Sequence, residues 1–157
     1  MYPTPYVKFL AHFHGTRDYF ECHEVLEEYW KEVDPKNRSS IWVLFIQTAV
    51  CMYHYRRDNK KGADTLIKRC ILRAESGLSE IEELGVDAES YLEHLNRIKS
   101  DLQEDLPYHS WNIPLTDLYL RQEVQQMCLD WGVAYGSPSD LDNAQLVYKH
   151  KLRNKQA

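Results

Sequence analysis

The residues best able to do chemistry fall in one stretch, Tyr19-Phe20-Glu21-Cys22-His23-Glu24-Val25-Leu26-Glu27-Glu28-Tyr29-Trp30. On a helix turning about 100° per residue, His23 and Glu27 lie within roughly 40° of each other, with Trp30 beside them on the apolar side. Glu24 and Glu28 rotate toward solvent. A second stretch places Val43, Gln47, Val50 and His54 on one face of an otherwise apolar helix. A buried polar group without a partner costs about 1–3 kcal/mol. The economical expectation is therefore a His23/Glu27/Gln47/His54 cluster between the two helices, lined by Phe20 and Trp30.

Three kinds of chemistry fit such a cluster. It can be a hydrogen-bond network that fixes how the helices register. It can be a metal site, in which His23, His54 and Glu27 ligate Zn, Mn or Fe and leave a position open for water oriented by Glu24. It can also be a metal-free pocket in which His23 and Glu27 bind or protonate a small ligand. Spacing does not choose among them. His23 to Glu27 reads HExxE, not the HExxH of zinc proteases. His12 and His14 precede the motif but, two residues apart, cannot share a helix face. His94, His109 and His150 read as surface or loop histidines. GxSxG, Walker A and GxGxxG signatures are absent, which excludes the reaction classes built on them.

These residues need elements to hold them. The pattern is helical nearly throughout, with no clean apolar/polar alternation. A first helix is expected from Pro5 to a stop at Gly15. A second runs from Asp18 to Val33, with Asp18 as cap and Glu21 completing an acidic capping box. A third runs from Ser40 to Arg57 and is apolar all round, the mark of a central, buried helix. A fourth is expected from Gly62 to Leu84 and a fifth from Asp87 to Asp105. Beyond Pro107 the signal weakens. Trp111 and Ile113 are expected to pack back on the core, Leu120 to Trp131 to form a shorter helix, and Ser139 to cap a last polar one. The expected fold is all-α, an antiparallel bundle of about five helices over residues 1–106 with a helical extension over 107–157.

Composition agrees. The chain has 157 residues, 43% hydrophobic and 27% charged, the profile of one packed domain. Six Gly and six Pro exclude collagen-like and low-complexity classes. Cys22, Cys51, Cys70 and Cys128 form no CxxC pair and read as small hydrophobes in a reducing compartment. The start, Met-Tyr-Pro-Thr-Pro, lacks the basic-then-apolar pattern of a signal peptide. The most apolar run, Ile41 to Tyr55, falls short of the roughly 20 residues a membrane span needs. A cytoplasmic protein without a membrane partner is expected. The net charge of −5 disfavours nucleic acid as a partner. The exception is the basic end, Lys149, Lys151, Arg153 and Lys155, which reads as a solvated helix end or as a phosphate-contacting arm. The 11 Tyr, 4 Trp and 4 Phe suit a homodimer interface and a monomer core equally well.

The motif residues resemble those of the helical family called domain of unknown function 309. His23, Glu24, Glu27 and Trp30 match its H-E-x-x-E-x-x-W element. Gln47, Ala49 and His54 match Q-x-A-x-x-x-x-H. Asn59, Gly62 and Ala63 match G-N-x-x-G-A, with Asp58 in place of the first Gly. Gly15 stands further from the motif than the family pattern has it. The resemblance covers about Phe13 to Ala74 and implies a small helical bundle with a site at His23, Glu24, Glu27, Trp30, Gln47 and His54. The resemblance also implies a metal-dependent hydrolase, a label given to that family on the same His and Glu residues. Two function classes follow: a protein with a His/Glu/Gln/His pocket that acts as a metal-dependent hydrolase, and a non-enzymatic helical interaction or small-ligand-binding module in which the cluster is a structural hydrogen-bond network.

Overall fold

The computed structural model describes residues 1–149. Lys151, Arg153 and Lys155 of the basic end, and His150, lie outside the described residues. Over those residues the chain is all-α, as its periodicity predicts. The helices are α1 (Thr4–Ala11), α2 (Tyr19–Val33), α3 (Ile41–Arg56), α4 (Lys60–Glu75), α5 (Leu78–Glu83), α6 (Ala88–Gln103), α7 (Leu118–Asp130) and α8 (Ala144–Val147), with a π-helical turn at His12–Thr16. A lone antiparallel bridge joins Val86 to Leu115.

Local chemistry sets the helix starts. Asp18, Ser40, Asn59 and Asp87 each accept a hydrogen bond from a backbone N–H in the first turn that follows, which satisfies donors that the helix itself leaves orphaned. The Asp18 cap is as expected, but the reciprocal half of the box does not form. The Asp18 N–H donates to Thr16 Oγ1 instead, and the Glu21 carboxylate takes Lys149 at 3.3 Å.

Three boundaries differ from the sequence expectation. Gly15 does not end a helix. A Cβ there would lie 2.8 Å from Cys128 Sγ, so this glycine serves the close approach of α7, and the chain turns at Arg17, whose φ is 57°. The expected fourth helix breaks at Ser76 and Gly77 into α4 and α5, which leaves Leu78 exposed rather than on the core face. Ser139 caps no helix; Asn143 caps α8 instead, accepting from the Leu146 N–H.

α3 is the central helix, with α2 along one side and α4 along the other. α1 packs against α2 and α7, and α6 against α4. Phe9, Phe13, Phe45, Tyr6 and Tyr91 are fully buried where these elements meet, with rings meeting largely edge-on or tilted, the arrangement aromatic quadrupoles favour. Trp111 and Ile113 do pack back on this core. Among the described residues no helix is long and apolar enough to cross a membrane.

Candidate functional site

Short loops make α2 and α3 neighbours, and the pairing of their residues shows that they run antiparallel. His23, near the start of α2, and His54, near the end of α3, line the same cavity. Trp30, near the end of α2, and Val43, near the start of α3, line another.

The first cavity has a volume of about 240 Å³ and is lined by Tyr19, Phe20, Val50 and Tyr53 together with His23 and His54. Phe20 meets His23 edge-on, with ring centres 6.0 Å apart. His23 is partly buried. Its Nε2 is in direct contact with a Glu27 carboxylate oxygen, while its Nδ1 is 3.9 Å from Glu24, too far for a hydrogen bond. The other Glu27 oxygen accepts from Lys31 Nζ at 2.9 Å. Burial pushes the Glu27 carboxyl upward, but the Lys31 hydrogen bond and the His23 charge outweigh it and hold the group below its usual range. Glu24 is exposed, as its position on the helix predicts.

Geometry fixes the His54 tautomer. Its Nδ1 faces Arg57 Nη2 at 3.1 Å and Asn59 Nδ2 at 3.2 Å. Both neighbours can only donate, so Nδ1 accepts and the ring proton sits on Nε2. The Asn59 amide cannot be turned round, because its Oδ1 caps α4 by accepting from the Gly62 N–H at 3.2 Å.

The expected four-residue cluster therefore divides. Gln47 and His54 share a helix face, but seven residues of helix separate them by about 10 Å along the axis. Glu27, Trp30 and Gln47 line a second cavity of about 470 Å³ together with Arg38, Arg69 and Arg73. The His23–Glu27 pair stands between the two cavities, one partner facing each.

The metal expectation does not fit this arrangement. Among the described residues no group of three or more His, Cys, Asp or Glu side chains is placed to hold a metal ion. Glu27 faces the second cavity and is held by Lys31 and His23. A ligating imidazole must carry its proton on the nitrogen away from the metal, yet His54 Nδ1 receives two hydrogen bonds. His12 and His14 add no ligands: His12 Nδ1 is paired with Thr16, and His14 is fully buried with both nitrogens engaged. The four cysteines are unpaired and buried. Burial raises every one of their thiols, Cys70 to about 12, so none is set up as a nucleophile.

Comparison with known proteins places the chain in a family. Residues 6–66 match the family model "Domain of unknown function (DUF309)". A Bacillus subtilis (strain 168) relative, the uncharacterised protein YpuF, is 41% identical over 155 residues, covering 99% of this chain and 89% of the relative. The chain belongs to the DUF309 family. No solved structure matches it.

The DUF309 motif residues do distinct jobs here. Trp30 Nε1 donates to the Asn37 carbonyl and closes the loop between α2 and α3. Gly62 has room for no side chain, because a Cβ would lie 2.6 Å from the capping Asn59 amide. Ala63 is fully buried, and its carbonyl accepts from Cys51 Sγ where α4 meets α3. Sequence reasoning missed Tyr19, Val50 and Tyr53 as walls of the first cavity, because an aromatic or a valine on a core face carries no signal that it borders a void. It also missed Arg38, Arg69 and Arg73. The pair Arg69 and Arg73, spaced i and i+4 on one face of α4, was the available clue.

Proposed function

We propose that this DUF309 protein is a metal-free binder of a small organic molecule, with its site in the cavity between the start of α2 and the end of α3. The observation that carries this reading is the presence of two imidazoles, His23 and His54, on one apolar-walled cavity. About 150 Å³ suffices for benzene, so about 240 Å³ takes a ring-sized molecule with a polar substituent. Tyr19, Phe20, Val50 and Tyr53 supply apolar contact. The ligand class is a small aromatic or aliphatic molecule bearing a hydroxyl or carboxylate.

The chemistry such a site can supply is proton transfer. Glu27 orients the His23 ring through Nε2, which leaves Nδ1 to exchange a proton with a bound hydroxyl or carboxyl group. Metal-dependent hydrolysis through His23, Glu27 and His54, with Glu24 on the water, would need ligands that converge, and these do not.

The test is an NMR titration of the wild type with phenol, benzoate and indole. Saturable shifts at Tyr19, Phe20, Val50 and Tyr53 are expected for at least one of them. Val50→Trp, which fills the cavity, should abolish them while leaving the circular dichroism spectrum unchanged. Absence of saturable shifts with all three probes at millimolar concentration would sink the reading and favour a protein-interaction module.

A further inference from the structure

The second cavity carries a separate inference. We propose that it is an anion site for a phosphate-bearing small molecule, held by Arg38 and Arg69 and walled by Trp30 and Gln47. This goes beyond the small-molecule reading of the first cavity and does not depend on it.

The argument begins with charge. The whole chain is acidic, at −5, yet three arginines from two separate segments line this one cleft. Arg69 and Arg73 come from successive turns of α4, and Arg38 comes from the loop between α2 and α3. Like charges gathered in one concavity raise the local potential and favour an anion there. Glu27, the acid among the described lining residues, is already paired with Lys31 and in contact with His23.

The three arginines are not equivalent. Arg73 is a strut. Its Nε donates to the Ser39 carbonyl at 2.7 Å and its Nη2 to Glu80 at 2.8 Å, which ties the loop bearing Arg38 to α4 and α5. Arg38 and Arg69 have no hydrogen bond or ion pair among the described residues, and neither has the Gln47 side chain, half-buried on α3. One arginine is thus spent on holding the cleft in shape, and two are left with their donors open.

Ligand chemistry follows from the donors. Each open guanidinium can take two oxygens in a planar fork, and the Gln47 amide adds N–H donors. A phosphate group, with up to two negative charges and three terminal oxygens, can engage both arginines at once; a carboxylate, with two oxygens and one charge, satisfies one fork. The cleft, at about 470 Å³, exceeds what a phosphate alone would fill. Trp30, Val43 and Ile46 offer apolar wall to the group that carries it.

Isothermal titration of the wild-type protein with inorganic phosphate, pyrophosphate and acetate, at low and high salt, tests this. Phosphate or pyrophosphate should bind saturably and more weakly in high salt, and acetate should not bind. Arg69→Gln or Arg38→Gln should weaken binding at least tenfold and the double variant should abolish it. Lys8→Gln, an exposed cation on α1, should leave it unchanged. Both arginines are exposed, so the variants should fold as the wild type does. His54→Ala should leave phosphate binding intact, which separates this site from the first cavity. The proposal is overturned if neither phosphate ligand binds saturably, if the double variant binds as the wild type does, or if acetate competes equally.

Discussion

His14 is fully buried; its Nδ1–H donates to the Leu10 carbonyl at 2.8 Å, and its Nε2 accepts from the Ile113 N–H at 2.9 Å. The Ile113 N–H at 2.9 Å is closer to Nε2 than the Ile113 carbonyl at 3.2 Å, and with the acceptor at Leu10 it favours a neutral ring with its proton on Nδ1. Burial, with the nearby Arg17 charge, brings the group down to about 4 from an ordinary 6.5. The unfolded chain therefore takes up this proton before the folded one does. Stability from this group is intact above about pH 6.5, is lost progressively as the pH falls toward 4, and levels off below that. The span corresponds to about 3 kcal/mol. His12, also lowered by burial, acts in the same direction. Urea unfolding between pH 7 and pH 4 should show the loss. Nitrogen-15 spectra should find the His14 ring neutral, as the Nδ1–H tautomer, down to about pH 4. A ring that charges near 6.5 in the folded protein would contradict this account.

At the level of helices, the link between α3 and α4 passes through Asn59, which caps α4 with Oδ1 and holds His54 with Nδ2. Asn59→Ala removes both bonds. A lost N-cap costs about 1 kcal/mol, and the loss of one of the two hydrogen bonds to His54 Nδ1 adds to it, so denaturant unfolding should register a loss of about 1–2 kcal/mol. The same residues show what periodicity can and cannot reveal. The caps at Asp18 and Ser40 and the extents of α2, α3 and α6 were legible because cap chemistry and apolar spacing are local. The break between α4 and α5 was not, because the apolar pattern continues past Gly77. The candidate site could be read only as a set of residue types and helix faces. Its division into two cavities was not, since a helical wheel gives an angle and omits position along the axis. The arginine cleft depends on the loop that bears Arg38 meeting α4, where Arg73 donates to the Ser39 carbonyl, a contact no local pattern encodes.

Across the whole molecule, two buried arginines hold the C-terminal segment to the helices. Arg17 donates to the carbonyls of Phe13, Trp111 and Ser137 and to Asn112 Oδ1, all within 2.8 Å. Arg56 donates to the Arg17 carbonyl at 2.6 Å, to Ser139 Oγ at 3.2 Å and to the Leu146 carbonyl at 3.2 Å, and lies over the Tyr19 ring. Among the described residues neither is paired with a carboxylate; their hydrogen bonds run mainly to backbone oxygens, most of them from segments distant in sequence. Lys149 adds an ion pair to Asp18 at 2.7 Å, so this member of the basic end faces acids of α2 rather than solvent. Arg56→Met keeps most of the volume but removes the charged donor from three acceptors; the Arg17 carbonyl keeps the Tyr19 N–H and Ser139 Oγ keeps Ser110 Oγ, while the Leu146 carbonyl loses its side-chain partner. Hydrogen bonds from a charged donor contribute about 1.5–3 kcal/mol each before partial compensation by water, so a net loss of about 3 kcal/mol is expected. For a chain of this length that corresponds to a fall of roughly 10 °C in Tm. Hydrogen exchange should also speed up at the amides of residues 137–147 along with those of α2 and α3, because one side chain serves both. Were the variant to speed exchange in the C-terminal segment alone, with Tm unchanged, that segment would be a separable layer, and the arginines would be holding it without supporting the core.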